Sequence, residues 1–233
     1  MLTRDQTGLL AKEYQECGIV RIASFLPGDQ ASNLHAHLRG RHDWRQVFNS
    51  GDKLFELDRD VRAAMEPSKK SELDDAIYAG ARESFQYRYE TIRMADGQAA
   101  REAIGDPIAS VALDLSAGAT RDLLRTVTGS PKIEFADAQA TAYSPGDFLT
   151  GHDDCFAGKN RHAAYVLNLT PIWRIEWGGL LIMHGKEGNP SLAYPPAMNV
   201  LTLFRVGQMH SVSEVTRSAA YRRYAITGWL RSS

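Results

Sequence analysis

The chain has 233 residues, 43% hydrophobic and 24% charged, which is enough length to bury a core in one domain and the balance of a soluble globular protein. A formal net charge of -1 excludes an overall basic field for nucleic acid, and Cys17 and Cys155 lie too far apart for a disulfide framework or zinc ribbon. No apolar stretch is long enough to span a bilayer and the first residues carry no signal-type apolar region, so the expected setting is the cytoplasm, with neither membrane nor nucleic acid as partner.

Leu10, Tyr14 and Cys17 recur at helical spacing before Gly18, which can supply a left-handed cap. A strand follows over 19–25, and Pro27-Gly28 turns the chain. Asp29 is placed to cap a helix with Ala31, Leu34 and Leu38 on one face. Ser71 and Asp74 resemble a capping box that opens another helix, carrying Leu73, Ile77 and Ala81. The run 85–92 reads as a strand. Two short helices follow, one through Ile108, Val111 and Leu115 and one through Leu123, Leu124 and Val127, divided at Gly118 and closed at Gly129-Ser130-Pro131.

Beyond about residue 133 the pattern shifts to short apolar or alternating runs between Gly, Pro and Asn. Strands are expected over 138–143, 165–169, 180–184, 200–204, 208–212 and 224–230. The fold expected is mainly β with flanking helices, an α+β arrangement in which a jelly roll carries N-terminal helices packed on one sheet. No linker divides the chain, so 1–233 reads as one domain, with 1–132 as helical and strand support and 133–233 as the jelly-roll core.

His152 and Asp154 stand two residues apart just after a strand. In extended backbone, positions i and i+2 point to the same side, so both can reach one ion. His210, in another expected strand, is the best third ligand. Two imidazoles and one carboxylate on one face of a metal suit non-haem Fe(II), although the same donors can hold zinc. Further along, alternation puts Arg223, Ala225, Thr227 and Trp229 on one strand face and Tyr224, Ile226 and Leu230 on the other. If the first face lines a barrel, Arg223 is a buried cation, and a bidentate carboxylate is the partner that best offsets its desolvation. No acidic residue neighbours it in that strand, so the anion expected is a ligand.

The run from His210 to Val215, followed by Arg223 to Trp229, resembles the C-terminal signature of prolyl-4-hydroxylase-type Fe(II)/2-oxoglutarate oxygenases. Tyr143, Asp147, Leu149, His152-Asp153-Asp154, Arg161, Ala164, Leu167, Leu169-Thr170-Pro171, Trp173 and Gly178-Gly179-Leu180 are similar to the branch containing ribosomal-protein prolyl hydroxylases. This resemblance covers roughly the last 95 residues.

The resemblance implies a double-stranded β-helix, iron on His152, Asp154 and His210, and the distal carboxylate of 2-oxoglutarate on Arg223. Tyr143, Thr227 and Asn168 are then expected beside the co-substrate. O₂ is the oxidant, ascorbate an accessory reductant, and succinate and CO₂ the co-products. Tyr87, Tyr89 and Trp229 are the candidate substrate-facing residues, with core packing as the equal alternative for the two tyrosines. The expected reaction is hydroxylation of a prolyl residue in a protein or peptide. The alternatives are hydroxylation of a free amino acid or other small metabolite, a zinc hydrolase, and a non-enzymatic oxygen-sensing or binding module on the same fold. Oligomeric state is not legible. Trp173 reads as a loop anchor, Cys155 as a small packing residue, and His35 and His37 as solvated side chains that diverge on a helix.

Overall fold

The computed structural model describes residues 2–186 and 189–233. Helix α1 (Arg4–Cys17) starts where Thr3 and Gln6 form a reciprocal capping box and stops at Gly18, whose φ of 74° is the left-handed conformation glycine adopts without strain. Strand β1 (Ile19–Ala23) leads to α2 (Gln30–Gly40), which buries Ala31, Leu34 and Leu38. Asp29 does precede that helix, but its side chain makes no capping hydrogen bond.

Strands β2 (Arg45–Ser50) and β3 (Lys53–Asp58) pair as a hairpin that the sequence reading does not anticipate. Helix α3 (Arg59–Ala64) and helix α4 (Pro67–Glu83) follow. The capping box expected at Ser71 and Asp74 is not formed. The helix begins one turn earlier because Pro67, with φ already fixed and no N–H to lose, opens it. Next come β4 (Tyr87–Arg93), α5 (Gln98–Ile104), α6 (Pro107–Leu115), whose Ile108 amide donates to Asp106, and α7 (Gly118–Thr128).

The remainder is β: β5 (Phe135–Ala136), β6 (Gln139–Tyr143), β7 (Phe148–His152), β8 (Arg161–Asn168), β9 (Leu181–Met183), β10 (Leu192–Tyr194), β11 (Val200–Arg205), β12 (His210–Val212) and β13 (Arg223–Arg231). The sheet runs β1-β11-β8-β13-β6-β4-β7-β12-β9-β10, with β2, β3 and β5 attached beside it. Its pairings are antiparallel throughout. The sheet curls so that β9 packs over β8, β11 and β13, which makes a jelly roll with flanking helices.

Alternation along β13 sorts its residues between two cores. Tyr224, Ile226 and Leu230 join Leu167, Leu201 and Leu203 beneath Tyr14, Leu34, Leu38, Val111, Leu115 and Leu124 of the helices. Ala225, with Trp229 packed against it, faces inward toward Ala164, Val166, Leu181, Met183 and Phe204. Leu167, Leu201, Leu203 and Ile226 have no exposed surface, and full burial of such a side chain contributes about 1.5 to 3 kcal/mol. The helices therefore make the roll rigid from outside while its interior stays available for a site. None of the described helices is long and apolar enough to cross a membrane.

Candidate active site

His152 ends β7 and His210 begins β12, and these two residues are direct partners across the antiparallel pair. Their rings lie 4.1 Å apart between centroids. Asp154 completes the group: its Oδ1 is 3.5 Å from His152 Nε2 and its Oδ2 is 3.4 Å from His210 Nε2. One ligand atom from each residue fits within 4.8 Å of the others, as one metal ion requires. The route to this geometry differs from simple strand alternation. Asp154 has φ 62°, so the chain leaves β7 and turns in the left-handed region that Asp tolerates, bringing the carboxylate back over the two rings.

The imidazoles are oriented from behind. His152 Nδ1 lies 3.1 Å from the Thr150 carbonyl and His210 Nδ1 lies 2.9 Å from the Gln208 carbonyl. An Nδ1–H donating to each carbonyl leaves both Nε2 lone pairs directed at Asp154. Burial, and then the neighbouring His152, hold His210 below the ordinary imidazole range. It is therefore neutral at physiological pH and has no proton to lose before binding a metal.

These three residues line a cavity of about 400 Å³ together with Arg223, Tyr143, Thr227, Tyr87, Tyr89 and Trp229. Arg223 is 3% exposed, and its Nε and Nη1 have no hydrogen-bond partner. Tyr143 pairs with it across β6 and β13, and the guanidinium carbon sits 5.0 Å from the Tyr143 ring centre. No carboxylate among the described residues reaches it. Burial lowers its pKa from the ordinary value, with partial relief from Tyr143, yet the guanidinium still holds its charge at neutral pH. A buried cation with open donors, in the same cavity as a His/Asp/His triad, fits a ligand that carries a carboxylate at one end and chelates a metal at the other.

Tyr89 stacks on Tyr143 at 5.1 Å and contacts Tyr87 at 5.7 Å. Burial pushes the Tyr89 hydroxyl up to about 12 and the Tyr143 hydroxyl higher still, so both are neutral hydrogen-bonding groups. Asn168 lies outside the cavity lining; its amide donates to the Val200 carbonyl at 3.4 Å. Trp173 anchors its loop by donating to the Gly178 carbonyl at 2.9 Å.

Arg161 has a larger part than its place in the motif indicates. Its guanidinium carbon sits 3.5 Å from the Trp229 ring centre, and Nη1 donates to the Asp154 carbonyl at 2.9 Å. One side chain thus ties β8 to the turn that carries Asp154. Phe85 and Phe156 form the rim, 44% and 65% exposed, and Phe85 packs 5.4 Å from His152. The signal for Phe85 is present in the aromatic run 85–89; Phe156 sits in a loop with no pattern to mark it.

Two expectations are corrected. Cys155 is exposed at the cavity mouth instead of packed, because the turn after Asp154 carries it away from the roll. His35 and His37 do diverge, but neither is simply solvated. His35 Nδ1 lies 2.7 Å from the Leu169 carbonyl and packs edge-on to Tyr224, and His37 Nε2 lies 3.0 Å from Arg41 Nη1.

Residues 138–231 match the model of the 2OG-Fe(II) oxygenase superfamily. With the jelly roll and the triad, that match defines the class these residues resemble, the prolyl-4-hydroxylase-like 2OG-Fe(II) oxygenases. Among individual proteins it is similar to prolyl 3-hydroxylase sudestada1 of Drosophila melanogaster, with 32% identity over 111 residues. That alignment takes in 42% of this chain but only 20% of the length of the fly protein. The fold is shared with a Pseudomonas putida prolyl-4-hydroxylase, with a TM-score of 0.60, 22% identity, and coverage of 97% of this chain and 99% of that one. It is also shared with a Trichoplax adhaerens prolyl hydroxylase solved with a hypoxia inducible factor peptide, with a TM-score of 0.57, 18% identity, and coverage of 97% and 89%.

Proposed function

We propose that the chain is a single oxygenase domain, residues 1–233, that hydroxylates a prolyl residue in a protein or peptide, using Fe(II), 2-oxoglutarate and O₂. The observation that carries the co-substrate assignment is the unpartnered Arg223 guanidinium in the cavity of His152, Asp154 and His210. In this reading the triad holds the iron and Arg223 holds the C5 carboxylate through two parallel N–H···O bonds. Tyr143 donates its neutral hydroxyl to the same carboxylate, and Thr227, on the same strand face, bounds the pocket.

When bound, Fe(II) and 2-oxoglutarate supply the oxidising power that places one atom of O₂ on a substrate carbon, with succinate and CO₂ as co-products. The chain's own residues position and shield. Ala164, Val166, Leu181 and Phe204 make a dry wall to the cavity, so that charges inside it interact more strongly than they would in water. Tyr87 and Trp229 offer flat faces beside the metal triad that suit a pyrrolidine ring.

An extended substrate is favoured over a small metabolite by the exposed rim of Phe85 and Phe156 beside half-buried Tyr87. A free amino acid needs no such apolar approach, whereas a chain entering from solvent does. The free, exposed thiols of Cys17 and Cys155 suit a reducing, cytoplasmic setting. The test is to incubate purified protein with Fe(II), 2-oxoglutarate and cell-extract proteins, then search by mass spectrometry for a gain of one oxygen on proline. Succinate formation with oxidised peptide supports the proposal. Succinate formation with oxidation confined to free amino acids or other small molecules transfers the activity to those substrates. Absence of 2-oxoglutarate turnover under any condition overturns the oxygenase reading.

A further inference from the structure

Strand β4 has a second face. Tyr87 and Tyr89 line the cavity described above, whereas Arg88 and Glu90 border a separate cavity of about 470 Å³. Glu90 is 1% exposed and accepts hydrogen bonds from three guanidinium groups: Arg59 at 3.1 Å, Arg62 at 2.7 Å and Arg222 at 2.7 Å. One carboxylate carries one charge, so it offsets only one of the three.

The other carboxylates do not restore the balance. Asp74 and Asp147 both pair with Arg88, Asp147 through Arg88 Nε at 3.3 Å. Burial also pushes Asp147 up to about 7, so part of its charge is absent at neutral pH. Lys70 borders the same cavity and forms no ion pair among the described residues. Arg62 and Arg222 each use Nη1 toward Glu90, and among the described residues their remaining N–H groups are not engaged. Lys70 stands in the first turn of α4, a 17-residue helix whose N-cap, Glu66, makes no side-chain capping bond and whose first turn holds no acidic residue. The positive end of that helix adds to the same field, offset in part by the charge of the Glu66 carboxylate at its N-cap.

We propose that this cavity binds a small doubly charged oxyanion, of the phosphate-monoester or dicarboxylate class, held by Arg62, Arg222 and Lys70. The guanidinium edges present parallel donors to two oxygens, and the ammonium serves as a point charge for a third. Arg222 directly precedes Arg223 but points to the opposite face of the sheet, so the site is separate from the catalytic cavity and its test is separable too.

Inorganic phosphate and succinate are titrated separately by calorimetry onto metal-free Arg223→Met protein, which lacks the carboxylate-binding cation of the catalytic cavity, and onto the same protein carrying Lys70→Gln or Arg62→Gln. At least one anion is expected to bind in the millimolar range or tighter. Each of Lys70→Gln and Arg62→Gln is expected to weaken that binding by about tenfold, roughly one charge-assisted contact. Phosphate alone identifies the monoester class and succinate alone the dicarboxylate class. No heat from either anion, or binding that survives both Lys70→Gln and Arg62→Gln, overturns the site. Lys70 takes part in no ion pair among the described residues, so its variant keeps the test valid if Arg62→Gln folds poorly.

Discussion

Replacing Arg223 with Met separates two consequences of one side chain and drives them in opposite directions. Arg223 is 3% exposed, two of its donor nitrogens have no partner, and its principal contact is the Tyr143 ring at 5.0 Å. Met keeps an unbranched apolar stem and discards the charge. For 2-oxoglutarate this removes the cation proposed to meet the C5 carboxylate, with an expected loss of about 2 to 5 kcal/mol, or roughly thirty-fold to several thousand-fold in affinity. For the ligand-free protein the substitution removes a desolvated cation that no carboxylate among the described residues pairs with. Apolar replacement of buried ionic groups is often neutral or stabilising by about 1 to 4 kcal/mol. With about 2 to 4 °C per kcal/mol for a chain of this size, the melting temperature is expected to hold or rise by several degrees. Equilibrium titration of 2-oxoglutarate, with Mn(II) in place of iron to prevent turnover, measures the first effect, and thermal melting of metal-free protein measures the second. Unchanged affinity would refute the assignment of Arg223 to the carboxylate. A fall of more than about 5 °C in the ligand-free melt would show that the guanidinium has a structural partner after all.

Asp154→Asn preserves a residue type that tolerates the left-handed backbone at φ 62°, so the ligand-free melt should be unchanged while Fe(II) affinity, measured by metal titration, falls more than the roughly 10- to 100-fold typical of losing an outer-sphere partner. Gly178 has φ 68° and a Cβ there would stand 2.0 Å from the Glu214 carbonyl oxygen; Gly178→Ala is expected to cost about 2 to 5 kcal/mol in denaturant unfolding, and a loss under 1 kcal/mol would show that the turn can move. Asp147 has its carboxyl pushed up to about 7 by burial, against only partial opposition from the Ser144 amide and Arg88. Between about pH 4 and 7 the native state therefore binds more protons than the unfolded chain, and stability falls as pH rises through that window, by at most about 1.4 kcal/mol per pH unit. Asp147→Asn should flatten that slope, and an identical slope in the variant would assign it to other groups.

Period-2 patterning makes the β-rich half readable from the chain alone, because a strand that divides two cores must alternate. The run from Arg223 to Leu230 shows this directly, with Tyr224, Ile226 and Leu230 under the helices and Ala225, Thr227 and Trp229 turned inward. The triad is legible for a different reason: His152 and Asp154 stand two residues apart just after a strand, and His210 falls in another expected strand. What alternation cannot show is the turn that brings Asp154 over the two imidazoles, since a left-handed φ at a non-glycine residue leaves no periodic trace. The β2–β3 hairpin is a different case. Its Gly51-Asp52 turn between alternating runs is a hairpin signal, but β3 lies largely exposed at the sheet's margin, so its weak apolar pattern does not stand out. The start of α4 is misplaced because Ser71 and Asp74 imitate a capping box inside a helix already opened by Pro67. Arg161 escapes notice as a scaffold because its partners, Trp229 and the Asp154 carbonyl, are 68 and 7 residues away in sequence; only the pairing of β8 with β13 and the turn after β7 bring them together.

Arg222, half-buried, and Arg223, fully buried, form an internal comparison of how one fold treats two cations. The two are adjacent, so alternation sends them to opposite faces of the same sheet. Arg222 meets Glu90 at 2.7 Å within a cluster where carboxylates partly offset the cations. Arg223 enters a cavity that supplies it with an aromatic ring but no carboxylate. A cation in a cavity therefore does not by itself mark a co-substrate site, because Arg222, one residue away, has a carboxylate partner and access to solvent. The information lies in the missing partner. A fold that keeps an uncompensated guanidinium beside a His/Asp/His triad bears a cost in its ligand-free state that only an incoming carboxylate relieves. The same accounting, applied to the opposite face, leaves the cluster around Glu90 with cations in excess, which is why that second cavity also calls for an anion.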